Sequence, residues 1–396
     1  MRRTRHTNFV PILTLGLLAG LAGTRPAPGQ IKTAETSPGA PRYGAARASH
    51  YRVGASIQAR RGAVQKVRAM VAVPYPCPEQ QVEVVDEDIS EQVDSLKYRD
   101  LPGGGARQML IAIGRLPAGE EAHAIVTFEV RTRPILPPRE TANLKIPAKP
   151  GRELKRFLSR SPYIEVGHRK IRAAATEALA GLDQAATDWQ RVEALYDYVQ
   201  KTIDYLEGPD KSAVKTLKDR QGDCQAISAL FVALCRTEKI PARIVWVHEH
   251  NYPEFYLEEP LATEPGGEQE SAAIAAGKGS KSAAGRESVQ AAKMADSAGT
   301  KAAHGSGAHG SKARPAAKKS RHGKRPASIG HWYPCESSGR RAFGEMPLTR
   351  TVLQKGDNFR VPERPRERLR YASDYLIGLP TPGGGKPSVK YIREQL

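Results

Sequence analysis

One cysteine in this 396-residue chain stands where a nucleophile would be made. Cys224 follows Gly222-Asp223 and opens a run in which Ile227, Leu230, Phe231 and Leu234 recur at helical spacing. Gly222 and Asp223 read as the turn and cap that start this helix, which the pattern carries to about Glu238. A thiol at a helix N-terminus feels the positive end of the macrodipole, which favours thiolate, the nucleophilic form. A cysteine taken alone is more often a small buried hydrophobe, so the surrounding pattern must carry the case. The backbone N–H of Cys224 with one further donor would form an oxyanion hole. Tyr205 could donate by its side chain, although packing is its simpler role.

Downstream lie Ile240-Pro-Ala-Arg243, His250-Asn-Tyr-Pro-Glu-Phe-Tyr256 and Trp332-Tyr-Pro-Cys-Glu336. From Gly222 to Glu336 the chain resembles the transglutaminase-like superfamily of bacterial exported type, whose core is a papain-like cysteine fold. Where the family often reads His-Ala-Trp-Val-Glu-Val-Tyr, this chain has His250 to Tyr256. Where the family reads Trp-x-Pro-x-Asp, it has Trp332 to Glu336. The resemblance implies a catalytic Cys224, His250 and Glu336. Cys224 would attack an acyl carbon and form a thioester, and His250 would hold the thiolate and shuttle the proton. Glu336 would accept from the far ring nitrogen. The family usually has Asp or Asn there, and the extra methylene of Glu336 demands a compensating backbone position.

Strand parity puts His250, Tyr252, Glu254 and Tyr256 on one face, and Asn251, Pro253, Phe255 and Leu257 on the other. His248 shares the parity of His250 and is its rival, or else a solvent-facing hairpin residue. Pro253 removes a ladder donor, so an edge strand or a bulge is expected there. Glu254 reads as a half-exposed strand charge or a cleft residue.

The elements that must position these groups come earlier. Five runs read as strands: 51–57, 67–73, 81–85, 108–113 and 124–130. Their spacing suggests an immunoglobulin-like β-sandwich over 50–135. An extended crossing from Ile135 to Pro150 leads to helices at Ile171–Ala180 and Asp188–Thr202, with Asp188 as the candidate N-cap. The expected fold class is α+β, a papain-like transglutaminase core at 150–257 and 331–360 preceded by that sandwich. A Leu348–Val352 strand, a short helix in the basic run Arg364–Tyr375 and a C-terminal extension at 361–396 complete the layout.

The net charge is +19, yet much of the excess falls at Arg2, Arg3, Arg5 and in the acid-free run 299–330. Specific nucleic-acid binding is therefore not indicated. Residues 1–29 read as a signal peptide, with a basic start and an apolar run from Phe9 to Ala22 too short to span a bilayer. A linker follows at 30–49. Export to the periplasm, the cell envelope or the medium is expected, with no transmembrane anchor after cleavage. Segment 258–330 is rich in Ala, Gly, Ser and Lys and reads as a disordered basic insertion joining two strands. It could meet a cell-envelope polyanion by charge, or simply be solvated. His304, His309 and His322 within it are irregularly spaced, so neither metal nor cofactor is expected.

Cys224 and Cys235 lie about 16 Å apart on one helix and cannot pair. Cys235 reads as core and Cys77 belongs to the sandwich. Cys335, beside Glu336, could bridge to Cys224 and switch it off reversibly.

The expected function is an exported cysteine enzyme acting on amide bonds of a protein or peptide through a thioester, as transglutaminase, amidase or peptidase. The alternatives are a catalytically inactive transglutaminase-like binding module, favoured by Glu336, and a cell-envelope scaffold.

Overall fold

Alternating apolar residues from Tyr51 onward build two antiparallel sheets over one shared core. The computed structural model describes residues 37–261 and 328–396. The strands in chain order are β1 (Arg42–Tyr43), β2 (Arg47–Gln58), β3 (Val64–Val73), β4 (Gln80–Ile89), β5 (Ser95–Asp100), β6 (Arg107–Leu116), β7 (Glu121–Thr132) and β8 (Ile135–Leu136). Helices α1 (Arg152–Lys155), α2 (Arg169–Leu179) and α3 (Asp188–Thr202) follow. Next come β9 (Asp204–Tyr205), α4 (Ala213–Asp219), β10 (Gln221–Gly222), α5 (Cys224–Thr237), β11 (Ala242–Val247) and β12 (His250–Pro260). The last strands are β13 (Ser328–Pro334), β14 (Val352–Lys355), β15 (Tyr375–Pro380) and β16 (Ser388–Gln395).

The sandwich sheets have the orders β15-β3-β6-β5 and β16-β2-β7-β4. Their inner faces follow the period of two: Tyr51, Val53, Ala55 and Ile57 of β2 meet Val67, Ala69 and Val71 of β3 in one core. In-register pairs such as Val53↔Val126 and Tyr51↔Phe128 keep that face inward across the ladder. Two strands come from the far end of the chain. β15 pairs with β3, and β16 pairs with β2 along eight residues. The expected extension at 361–396 is therefore structural, because it covers an edge of each sheet. The basic run Arg364–Tyr375 within it forms turns rather than a helix, and β15 begins at Tyr375.

Several boundaries also move. Strand structure enters the expected linker at Arg42–Tyr43 and from Arg47. It enters the expected insertion as far as Pro260 and again from Ser328. The strand expected at Leu348–Val352 forms later, at β14. The signal peptide and the body of the insertion lie outside the described residues. Pro38–Leu396 form one compact unit, with the two lobes continuous. Among the described residues no helix is long and apolar enough to cross a membrane.

The second lobe packs α5 against the sheet β13-β12-β11-β14, with α2 and α3 packed on α5. Its core includes Val192, Leu195, Tyr196, Ile227, Leu230, Phe231, Phe255 and Tyr333. The N-cap of α3 is Thr187 rather than Asp188. Its hydroxyl accepts from Gln190 N while the Gln190 side chain accepts from Thr187 N, a capping box. Asp188 instead accepts from Ile146 N at 2.7 Å.

The lobes meet through buried polar groups. Lys355 Nζ pairs with Glu79, just before β4, and lies 2.7 Å from Glu254 of β12. Glu254 is 1% exposed and also binds Arg243 at 2.6 Å, so it is neither a half-exposed strand charge nor a cleft residue. Burial works against the charge of Lys355, but the two carboxylates outweigh it and hold the ammonium well above its ordinary range. Gly105 lets β14 approach closely: it has φ +88°, and a Cβ there would lie 2.1 Å from Lys355 O.

Removing the ammonium would strand two buried carboxylates. Lys355→Ala should cost about 3–5 kcal/mol. Arg52→Ala, at the exposed Arg52–Glu394 pair, should cost under about 1 kcal/mol. Urea unfolding of both variants checks this, and a loss at Lys355 as small as that at Arg52 would sink it.

Candidate active site

Cys224 is held at the first turn of α5 by three local devices. Asp223 is the N-cap, and its carboxylate accepts from Ala226 N at 2.8 Å. Gly222 sits so close to the helix that a Cβ would come within 2.6 Å of the Ala226 Cβ. The two-residue β10 pairs in parallel with β9, placing Tyr205 opposite Gly222. Cys224 is left half-buried, while Ala226 to Arg236 are buried behind it. Tyr205 does not pack: it is 52% exposed. Such burial as it has, with the charge of the nearby Cys224 sulfur, raises its phenol.

His250 begins β12 after the tight turn His248-Glu249, where Glu249 takes φ +54°. Its Nε2 lies 3.1 Å from both carboxylate oxygens of Glu336. The ring also hydrogen-bonds Cys224, for which Nδ1 is the nitrogen left free. Burial pulls the imidazolium down, but the bonds to Cys224 and Glu336 prevail and raise its pKa from 6.5 to about 9.

Glu336 lies two residues past β13, where the chain has left the ladder. Its backbone carbonyl accepts from Tyr196 Oη at 2.8 Å and Gln200 Nε2 at 3.1 Å, both from α3. Ser338 N donates to its Oε1 at 3.0 Å. These contacts supply the backbone position that the longer side chain requires.

A fourth residue joins this group. Asn251 Nδ2 donates to Cys224 Sγ at 3.2 Å. Parity assigns Asn251 to the face opposite His250, but both are the first residues of β12, and Asn251 still reaches Cys224 at the start of α5. The only sequence signal was the departure from Ala in the family pattern.

The other candidates fall elsewhere. His248 turns to the sandwich, with Nδ1 3.3 Å from Tyr51 Oη, so it is neither in the site nor simply solvent-facing. Pro253 lies on a central strand without a bulge against β11. It is tolerated because pairing of β12 with β13 begins only at Glu254. All four cysteines are unpaired. Cys235 and Cys335 are both buried in the core, and burial raises both thiols. Cys335 thus belongs with the packing of β13 rather than with Cys224. Cys77 faces the junction, where burial likewise raises its thiol.

Two clefts adjoin the site. One of about 430 Å³ is lined by Gln225, which follows Cys224, with Asp210, Trp246, Tyr371 and Arg393. The other, of about 500 Å³, begins at Glu336 and runs past Arg340 to Leu348. Among the described residues no cluster of three or more His, Cys, Asp or Glu could hold a metal ion.

Residues 173–279 match the transglutaminase-like superfamily. This stretch is a transglutaminase-like domain. It contains Cys224 and His250, while Glu336 lies beyond it. No curated protein matches the chain. Among solved structures the chain is similar to a candidate cysteine protease from Cytophaga hutchinsonii, at 14% identity over 90% of this chain and 92% of that one, TM-score 0.44. It is also similar to a candidate protease from Parabacteroides distasonis, at 9% identity over 48% and 57%, TM-score 0.20. A third is the periplasmic domain of TgpA from Pseudomonas aeruginosa bound to ethylmercury, at 14% identity over 53% and 85%, TM-score 0.26. At these scores the likenesses are loose.

The charged ring of the transglutaminase-like domain has a pH signature. The folded pKa of His250 exceeds its unfolded value, so the stability it contributes is complete below about pH 6.5 and lost as pH rises through about 9. Urea unfolding at pH 6, 7.5 and 9.5 should show wild type losing more stability across this window than His250→Gln. Parallel losses in the two proteins would contradict the assignment.

Proposed function

We propose that this protein is an exported cysteine enzyme that cleaves or exchanges amide bonds of a protein or peptide through a thioester on Cys224. The observation that carries this reading is His250, set between Glu336 and Cys224 with its two ring nitrogens divided between them. In the first half-reaction the Cys224 thiolate attacks the amide carbon and the S–C bond forms. The C–N bond breaks, and His250 gives its proton to the departing amine. In the second half, neutral His250 takes a proton from water or an amine as it attacks the thioester. The S–C bond breaks and the electron pair returns to sulfur. Water makes the enzyme a peptidase or amidase, and an amine makes it a transglutaminase. Glu336 fixes the ring orientation throughout and supports the imidazolium.

Backbone N–H of Cys224 supplies one oxyanion donor, and the exposed Tyr205 phenol beside it is the candidate for the second. The substrate chain would lie across Cys224 from the cleft at Gln225. The remaining parts of the reading rest on sequence: signal-directed export to the periplasm, envelope or medium, polyanion contact through the basic insertion, and an immunoglobulin-like class for the sandwich. The non-catalytic reading drew its support from Glu336; the bond from Glu336 to His250 favours the catalytic reading instead.

Iodoacetamide labelling, read by mass spectrometry at each cysteine, tests the nucleophile. Cys224 should react first, and Cys235 and Cys335, both unexposed, should not react in the folded protein. Cys224→Ala should fold normally and lose all turnover on a peptide-amide substrate library. Turnover retained by that variant would refute the assignment.

A further inference from the structure

We infer that Asn251 is a catalytic residue of this chain, whose side-chain amide holds the charge on the Cys224 sulfur. The inference rests on Cys224 being the nucleophile proposed above. Asn251 Nδ2 donates to Sγ at 3.2 Å, and the residue is 2% exposed. Its Oδ1 is buried with no hydrogen-bond partner. An unpaired buried carbonyl costs free energy, so a residue kept there for packing alone would be better served by an apolar side chain. The transglutaminase pattern that this stretch resembles has Ala at the same place, which fills the strand without that cost. What Asn251 adds is one donor aimed at sulfur.

That donor matters because the charge on sulfur changes during the reaction. A hydrogen bond to an ionised acceptor is stronger than one to a neutral acceptor. The amide therefore favours thiolate before attack and weakens its hold once the S–C bond forms. When water or an amine displaces sulfur from the thioester, the electron pair returns to Sγ and the same N–H donates to the restored thiolate. His250 loses its proton to the departing amine midway, whereas the Asn251 amide does not ionise and offers its donor at every step. Its burial beneath the thiol sets it apart from the oxyanion hole, which must face the substrate.

The test is the second-order rate of iodoacetamide with Cys224 at pH 6.5, with Cys77 as internal control and the buried Cys235 and Cys335 as indicators of folding. Asn251→Ala restores the residue of the family pattern, so the fold should tolerate it. It should slow alkylation at Cys224 about tenfold, the scale of one hydrogen bond to a charged group. Asn251→Asp keeps the shape but replaces the donor with a negative acceptor, and should slow it further. The rate at Cys77 should not change, and Cys235 and Cys335 should stay protected. If both variants label Cys224 within twofold of a fast wild type, Asn251 only fills space and the inference falls while the nucleophile stands. If wild-type Cys224 labels no faster than Cys77, the nucleophile reading fails and this inference fails with it.

Discussion

The Lys355 ammonium, buried between Glu79 and Glu254, is the constraint on which the relation of the two lobes depends. A buried ion pair is a poor source of net stability, because desolvation offsets most of the attraction. It is a strict condition on geometry, since each charge needs its partner in place. Glu79 belongs to the sandwich, Lys355 ends β14 and Glu254 sits in β12, so one cluster fixes three segments. Gln80 adds to it by exchanging hydrogen bonds with both backbone groups of Val352. β14 pairs with β11, β11 pairs with β12, and β12 begins with His250. The placement of the sandwich thus reaches the candidate site through a short series of backbone ladders.

The site is built from strand and helix ends. Cys224 opens α5, His250 opens β12 and Glu336 follows the end of β13. Ends are where side chains escape the parity of their element, which is how adjacent residues His250 and Asn251 both reach one sulfur. Ends are also where backbone groups need outside partners. Asp223 caps α5, and Tyr196 and Gln200 of α3 hold the Glu336 carbonyl. A second buried ion pair, Arg236 with Asp357 at 2.5 Å, ties the far end of α5 to the chain just after β14. The helix that carries the thiol is therefore anchored at both ends to the sheet that carries the histidine.

What could be read from sequence follows from how local each signal is. The Cys224 helix, α2, α3 and five sandwich strands were legible because cap residues and apolar periods act within a few positions. β5 was missed because its residues, Ser95 to Asp100, are mostly polar and none is fully buried, with only Leu96 and Tyr98 turned toward the core. β15 and β16 were missed because their meaning lies in pairing with β3 and β2, some three hundred residues away. The buried state of Glu254 was hidden for the same reason: its partner Lys355 lies about a hundred positions on. Cys224, His250 and Glu336 were legible by type, but the position of Glu336 depended on where the chain turns after β13, which no local pattern encodes.

The ladder between β12 and β13 explains how His250 and Glu336 can meet across so long a connection. His250 precedes segment 261–327 and Glu336 follows it, so their meeting depends on register alone. Seven consecutive pairs, from Glu254↔Pro334 to Pro260↔Ser328, set that register. A slip of one residue would carry Phe255, Leu257 and Tyr333 off the core face, so burial opposes any slip. The closing entropy of a connecting segment grows only by about 0.6 kcal/mol per doubling of its length. Lengthening the connection thus costs little, while shifting the ladder costs a core. The chain can therefore carry a long connection between His250 and Glu336, provided that the two strands bordering it keep their apolar partners.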